Sequence, residues 1–202
     1  MSRKRWFYVL FFAGLVAAFY LTLTSLIPDL GKKRTRPISI VRPFSFTDQD
    51  GRRVTEQDVS GKVYVAEFFF TTCRGICPRM QNNMKTVYEE LRSEPEFLIL
   101  SHTSDPDVDD PAVLKRYSDS LGVNTRRWMF LTGRKDSLYS AARLSYAIDD
   151  PENNVKSMDD DFIHTQHWAL VDRDGNVRKI VDGLKEKEVK ALIRDARKLL
   201  KR

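Results

Sequence analysis

Cysteine and histidine are both scarce in this chain. Its 202 residues include only two cysteines and three histidines. Two thiolates alone do not make a stable zinc site, which takes four protein ligands or three and a water. A structural disulfide also explains the pair poorly, because Cys73 and Cys77 are four residues apart and closing so small a loop stabilises a fold little. The pair is better explained by a functional role.

The sequence after the N-terminal segment lacks an excess of charge of either sign. The formal net charge of the chain is +6, and residues 1–36 hold seven Lys and Arg against one acid, Asp29. Residues 37–202 therefore have equal numbers of basic and acidic side chains. The basic balance belongs to the N-terminal segment and not to a nucleic-acid surface, so we expect no nucleic-acid partner.

Charge is missing altogether from residues 6–27, "WFYVLFFAGLVAAFYLTLTSLI". At about 1.5 Å per residue, a helix of this length spans the hydrocarbon core of a bilayer. The residues at the C-terminal end of this segment, "SLIPDLGKKR", form a poor signal-peptidase site, which favours an uncleaved single-span anchor within residues 1–36. Both flanks are basic, and the commoner orientation of a lone N-terminal span puts residues 37–202 on the periplasmic or extracytoplasmic side of the cytoplasmic membrane.

The remaining segments alternate between strand and helix patterns. "FSFTDQDGRRVT" predicts a hairpin, and "KVYVAEFFF" predicts a strand buried on both faces. Two further strands alternate with helices, and "HWALVDRDGNVRKIVDG" predicts a closing hairpin before a final amphipathic helix. This order predicts one α/β domain over residues 37–202, a sandwich with a mixed central sheet and an N-terminal hairpin.

The stretch "FFFTTCRGICPRM" places both thiols between the end of a strand and the start of a helix. Pro78 suits the first turn of that helix, so Cys77 is predicted at its N-terminus, where unpaired N–H groups and the helix dipole favour a thiolate. Arg74 and Arg79 add positive charge. Such a pair can form a redox disulfide or, with one imidazole, bind Cu(I), which soft sulfur ligands select.

Several other side chains are candidate copper ligands. Met80 and Met84 follow the cysteines at helical spacing; core packing explains them most simply, and a thioether ligand is the alternative. The histidines are His102, at the end of a predicted strand, and His164 and His167, which alternation directs to opposite faces of an extended segment. The physical pattern alone does not choose among the three.

Three motifs, "TTCRGICPRM", "SHTSDPDVDDPAVLKRYSDSLGV" and "HTQHWALVDRDGNV", resemble the SCO/SenC family over about residues 38–202. The resemblance implies a membrane-tethered thioredoxin-like domain that binds copper through two cysteines and one histidine. By position these are Cys73, Cys77 and His164. It also implies a role in assembling the copper centre of cytochrome c oxidase, with the copper-centre subunit or another copper or thiol protein as partner. Copper is expected as Cu(I), with Cu(II) left open.

Arg74 and Gly75 depart from the family pattern, which often has Pro and Asp after the first cysteine. Loss of a carboxylate and gain of a cation should lower the thiol pKa values and shift the balance from metal delivery toward thiol–disulfide exchange. The alternative function is therefore a thiol–disulfide oxidoreductase in which Cys73 and Cys77 form the catalytic redox pair. Cys73, expected to be the more exposed, would attack and Cys77 would resolve.

Overall fold

The computed structural model describes residues 3–26, 36–149, 163 and 165–201. The chain divides into two compact units, Met1–Arg36 and Pro37–Arg202. In the first, helix α1 (Arg3–Leu26) is long and apolar enough over Arg3–Ser25 to cross a membrane. The predicted apolar helix is therefore present. Signal sequences have such a helix as well as anchors, so the uncleaved anchor stays a prediction.

The second unit is built on one mixed sheet of eight strands in the order β1-β8-β7-β4-β5-β6-β2-β3. The strands are β1 (Ser39–Ile40), β2 (Ser45–Asp48), β3 (Arg53–Thr55), β4 (Val63–Phe69), β5 (Phe97–Thr103), β6 (Trp128–Thr132), β7 (His167–Val171) and β8 (Asn176–Asp182). The central strands β4, β5 and β6 are parallel, whereas β7 and β2 pair with them antiparallel.

Helices cover both faces of the sheet. They are α2 (Glu56–Val59), α3 (Cys77–Leu91), α4 (Pro111–Leu121), α5 (Lys135–Ser140), which continues into a π-helical turn (Ala141–Ser145), and α6 (Glu186–Leu200). One core lies under α3, α4 and α6, and the other under α2, α5 and the β2–β3 hairpin. The predicted α/β sandwich with a mixed sheet and an N-terminal hairpin is confirmed.

Strand β4 shows why its sequence is almost continuously apolar. Side chains alternate along a strand, so Val63, Val65 and Phe69 pack into the core under α3 while Tyr64 and Phe68 pack into the opposite core. All seven of its residues are buried. The predicted burial on both faces is confirmed. The loop of residues 70–76, called the thiol loop below, follows the end of this buried strand and leads to Cys77.

Two elements were not predicted, and both are short. Strand β1 pairs with β8 only through Ser39 and Ile40, too few residues to show alternation in the sequence. Helix α2 has four residues and is capped by Thr55 and Asp58. Helix α5 is one of the helices that the alternating pattern predicts, but its continuation is π-helical and is followed by Ala147 at a φ of 54°.

Candidate metal and redox site

The two thiols lie on the loop that joins the central strand β4 to the N-terminus of α3. Cys77 is the first residue of the helix and Pro78 the second, as the sequence predicts. Both cysteines are free thiols. Cys77 is only 5% exposed and packs in the core with Met80, whereas Cys73 is half-buried. Cys73 is therefore the more accessible sulfur, as expected.

The Cys73 sulfur accepts hydrogen bonds from several nearby donors. Burial alone would raise its pKa, but the Cys77 thiol donates to it, as do the backbone N–H groups of Cys77, Gly75 and Ile76. Together these bonds hold the pKa of Cys73 below its ordinary value, because each stabilises the thiolate. The predicted lowering is thus present at this cysteine, and its main source is hydrogen bonding.

Cys77 behaves in the opposite way. Burial raises its pKa to about 12, and its hydrogen bond to Cys73 and the charges of Cys73 and Glu67 act in the same direction. The prediction that the helix N-terminus and the nearby cations lower both pKa values is wrong for this residue. The reason is desolvation: the sulfur points into the core under α3, where the charged form is disfavoured more than the helix N-terminus favours it.

We expect this asymmetry to appear in alkylation. In the reduced full-length chain in detergent at neutral pH, iodoacetamide should modify Cys73 at least about a hundredfold faster than Cys77, because only the thiolate reacts and Cys77 stays protonated and buried. Peptide mass spectrometry of a time course measures both rates. Urea-unfolded chain is the control, in which the two rates should converge. Equal rates in the folded chain would contradict the assigned pKa order.

Glu67 is a site residue that the sequence analysis overlooked. It lies on the α3 face of β4, is fully buried, and accepts hydrogen bonds from Ser101 Oγ at 2.5 Å and Gln81 Nε2 at 2.9 Å. Among the residues that the structure describes, none is hydrogen-bonded to its Oε2 atom. Burial raises its pKa to about 7, against the lowering by these two bonds. The available signal was an acid inside the otherwise apolar run "VYVAEFFF".

Replacing Glu67 by glutamine should change how stability depends on pH. The folded-state pKa lies above the unfolded value of 4.5, so the wild type loses stability as pH rises from about 4.5 to about 7, where the unfolded state has released the proton and the folded state still holds it. Glu67→Gln cannot ionise and shows no such loss. Relative to wild type, the variant should gain about 3 kcal/mol of unfolding free energy between pH 5 and pH 9. Urea denaturation at both pH values measures this, and a pH-independent difference would contradict it.

The structure separates His102 from the thiols and leaves His167 exposed. His102 is fully buried on the other face of the sheet, stacked on Phe68 with ring centroids 4.9 Å apart and edge-on to Phe46. Burial lowers its pKa to about 4. His167 is exposed at the start of β7, where Thr165 Oγ1 lies 3.3 Å from its Nδ1. His102 is thus a core residue.

His164 lies outside the described residues, but the segment on its C-terminal side is informative. Strand β7 runs antiparallel to β4, with Ala169 opposite Ala66. The chain that enters β7, from Thr165 to His167, therefore lies at the end of the sheet where β4 ends and the thiol loop begins. Thr165 is held there by a 2.9 Å hydrogen bond to the Ile148 carbonyl.

Met80 and Met84, the two candidate thioether ligands, are core residues. Met80 and Met84 have no exposed surface and pack in the core under α3, so the core-packing interpretation is confirmed. Within the residues that the structure describes, no group of three or more His, Cys, Asp and Glu side chains could hold a metal ion. The described part of the site is therefore a pair of sulfurs that needs a further ligand to hold a metal.

Comparisons with known proteins place this arrangement in context. The SCO1/SenC family profile matches residues 32–201. The SCO1 protein homolog of Bacillus subtilis (strain 168) is 32% identical over 161 residues, 78% of this chain and 81% of the relative. The solved structure of BsSco, described as a member of the Sco family of cytochrome c oxidase assembly proteins with a disulfide switch, has a TM-score of 0.68 at 30% identity, over 82% of this chain and 96% of that one.

Yeast Sco1 has been solved with copper bound, and its structure has a TM-score of 0.62 at 27% identity, covering 79% of this chain and 89% of that chain. Together with BsSco, this similarity confirms the predicted thioredoxin-like α/β fold.

Proposed function

The chain belongs to the SCO1/SenC family, and on that basis we propose that it binds Cu(I) as cargo and delivers it during assembly of the copper centre of cytochrome c oxidase. The observation that carries the proposal is the pair of free thiols, Cys73 and Cys77, on one loop at the end of the central strand. The copper-bound structure of yeast Sco1 and the description of BsSco as an assembly protein support it.

The proposed ligands are Cys73, Cys77 and His164. Two thiolates and one imidazole suit Cu(I), because soft sulfur selects this ion and a coordination number of three is acceptable to it. The position of the Thr165–His167 segment at the thiol end of the sheet supports His164 as the third ligand. Because the pKa of Cys77 is raised to about 12, copper binding must displace its proton, and affinity should rise with pH.

Delivery requires that a partner reach the metal. Cys73 is half-buried and is the more accessible sulfur, so ligands of the recipient would first replace Cys73. Cys77, buried at the helix terminus, would leave the ion last. The recipient we propose is the copper-centre subunit of the oxidase or another protein with comparable thiol and imidazole ligands.

We further propose that α1 is an uncleaved anchor that tethers residues 37–202 to the outer side of the cytoplasmic membrane. The expected result in cells is a full-length chain that stays in the membrane pellet after alkaline carbonate extraction and is digested by protease added to spheroplasts. Intact mass of the isolated chain is the second readout. A soluble form that has lost the first 25 to 35 residues, about the length of a signal peptide, would contradict the anchor.

A second function is favoured by the asymmetry of the thiols. The Cys73 thiolate attacks one sulfur of a partner disulfide, the partner S–S bond breaks, and a mixed disulfide forms as one partner thiolate leaves. Cys77 then loses its proton and attacks Cys73, which forms the Cys73–Cys77 disulfide and releases the second partner thiolate. The partner is reduced by two electrons and this chain is oxidised by two. The disulfide switch described for BsSco supports this oxidoreductase alternative.

Copper binding by the reduced and oxidised full-length chain in detergent separates the two functions. The copper proposal predicts one Cu(I) per reduced chain and none per oxidised chain, in competition with a chromophoric Cu(I) chelator. Cys77→Ser should also trap mixed disulfides with partners in cells if the redox function operates. A reduced chain that takes up no copper but reduces disulfides readily would overturn the copper proposal. Absence of any trapped partner would count against the oxidoreductase.

A further inference from the structure

Asp109 is a fully buried acidic residue at the end of the loop between β5 and α4. Its carboxylate accepts three hydrogen bonds: from Thr71 Oγ1 at 2.5 Å, from the Thr71 backbone N–H at 3.1 Å and from Thr103 Oγ1 at 2.6 Å. A carboxylate is costly to bury unless hydrogen bonds replace its hydration. These three bonds therefore hold the side chain in place. Two of them come from Thr71, which lies in the thiol loop after β4.

That residue, Thr71, is two positions before Cys73. The Cys73 N–H donates to the Phe70 carbonyl at 3.2 Å, so the turn that presents Cys73 begins at the residues next to Thr71. The preceding carbonyl, that of Phe69, accepts from the backbone N–H and the hydroxyl of Ser104, at 2.8 and 3.1 Å. The start of the thiol loop is thus bonded at two successive points to the loop after β5.

We propose that Asp109 is a positioning residue for Cys73. By holding Thr71, it fixes the start of the thiol loop in the geometry in which the Cys73 and Cys77 sulfurs meet. The proposal rests on the proposed function, because both Cu(I) binding and disulfide exchange require the two sulfurs close together. It assigns Asp109 no contact with the metal or with a partner.

The expected consequence is a change in how readily the thiols pair. A loop held in place gives the two sulfurs a high effective concentration, and this stabilises the disulfide relative to the dithiol. Without the bonds to Thr71, the loop samples arrangements in which the sulfurs are apart. The equilibrium constant for closing the disulfide should fall, and the reduction potential should rise.

Asp109 also acts through its charge, so a substitution of Asp109 alone does not isolate the geometric effect. The pKa of Tyr117 is raised first by burial and then by the charges of Glu67, Cys77, Cys73 and Asp109, which places Asp109 in the same electrostatic surroundings as the thiols. Thr71→Val removes the hydroxyl bond without changing charge or volume much. Thr71→Ser restores the hydroxyl and is the matched conservative variant.

The test is the reduction potential of the Cys73–Cys77 pair in the full-length chain in detergent, equilibrated in glutathione buffers. Asp109→Asn should lower the constant for disulfide formation about tenfold, a rise of about 30 mV, and Thr71→Val about threefold, a rise of about 14 mV. Thr71→Ser should differ from wild type by less than about 1.5-fold. Thr103→Val, which loses one bond on Asp109 but none on the thiol loop, should lower stability in urea and should move the potential less than Thr71→Val does.

Wild-type potentials for both Asp109→Asn and Thr71→Val would overturn the proposal, and so would a Thr103→Val shift as large as that of Thr71→Val. If Asp109→Asn does not fold, the Thr71→Val and Thr71→Ser pair decides the question. The readout needs no copper, so a failure here is distinguishable from failure of the copper function. That function fails only if the reduced wild-type chain takes up no Cu(I).

Discussion

Cys77→Ser and Cys73→Ser should each lower the affinity of the reduced chain for Cu(I) by at least about a thousandfold, or about 4 kcal/mol. A hydroxyl has nearly the size of a thiol but is a hard, protonated oxygen, whereas Cu(I) selects soft thiolate ligands. Each substitution leaves one sulfur and one imidazole, which compete poorly with a chelator. Competition titration of the full-length chain in detergent measures the loss.

The two variants should differ in stability while agreeing in copper binding. Cys77 is buried in the core, so serine there places a hydroxyl in apolar surroundings and should cost about 1–3 kcal/mol of unfolding free energy. Cys73 is half-buried, and its replacement should cost less than about 1 kcal/mol. Loss of copper binding in the well-folded Cys73→Ser variant therefore excludes unfolding as the cause. Wild-type affinity in either variant would contradict the two-sulfur site.

His164→Ala should lower the affinity for Cu(I) about a hundredfold, or about 3 kcal/mol, and leave the reduction potential of the thiols unchanged. The imidazole is proposed as a copper ligand and takes no part in exchange between sulfurs. His167→Ala is the matched control, because His167 is exposed three residues away at the start of β7, and it should bind copper as the wild type does. The same chelator competition measures both variants.

His102→Ala is a poor control, since its ring is buried between Phe46, Phe68 and Tyr146 and its removal would leave a cavity in the core. Two results would contradict the assignment of His164: wild-type affinity in His164→Ala, or an equal loss in His167→Ala. A loss in both would point to disturbance of the segment and not to a specific ligand.

The position of the thiol loop could be predicted from sequence because its signals are local. A mostly apolar run ends at Phe70, and Pro78 marks the first turn of a helix, so the loop and the helix start between them follow from neighbouring residues. Met80 and Met84 are four residues apart and so share one face of the helix, which likewise predicts their burial in the core under α3. Each of these depends on a few consecutive positions.

The electrostatics of the same loop could not be predicted, because they depend on distant residues. The helix N-terminus alone suggests a thiolate at Cys77, yet burial and the charge of Glu67 raise its pKa. Glu67 comes from the central strand, and its partners Gln81 and Ser101 come from α3 and β5. Asp109 was missed for the same reason: its bonds to Thr71 join segments 38 residues apart.

Separating His102 from the other two histidines required the order of the strands. Alternation along the chain says only that neighbouring positions face opposite ways, and it cannot say which strand lies next to the thiol loop. Pairing of β7 with β4 supplies that information, because it brings the entrance of β7 to the end of β4. Only the sequence resemblance favours His164, by its position, whereas the physical pattern left all three histidines equally open.

X-ray absorption at the copper edge of the reduced, Cu(I)-loaded full-length chain reports the atoms bound to copper. We expect a three-coordinate Cu(I) ion with two sulfur neighbours and one nitrogen neighbour, and loss of the nitrogen in His164→Ala but not in His167→Ala. A first shell made only of sulfur in the wild-type chain, or a nitrogen that persists in His164→Ala, would contradict this expectation.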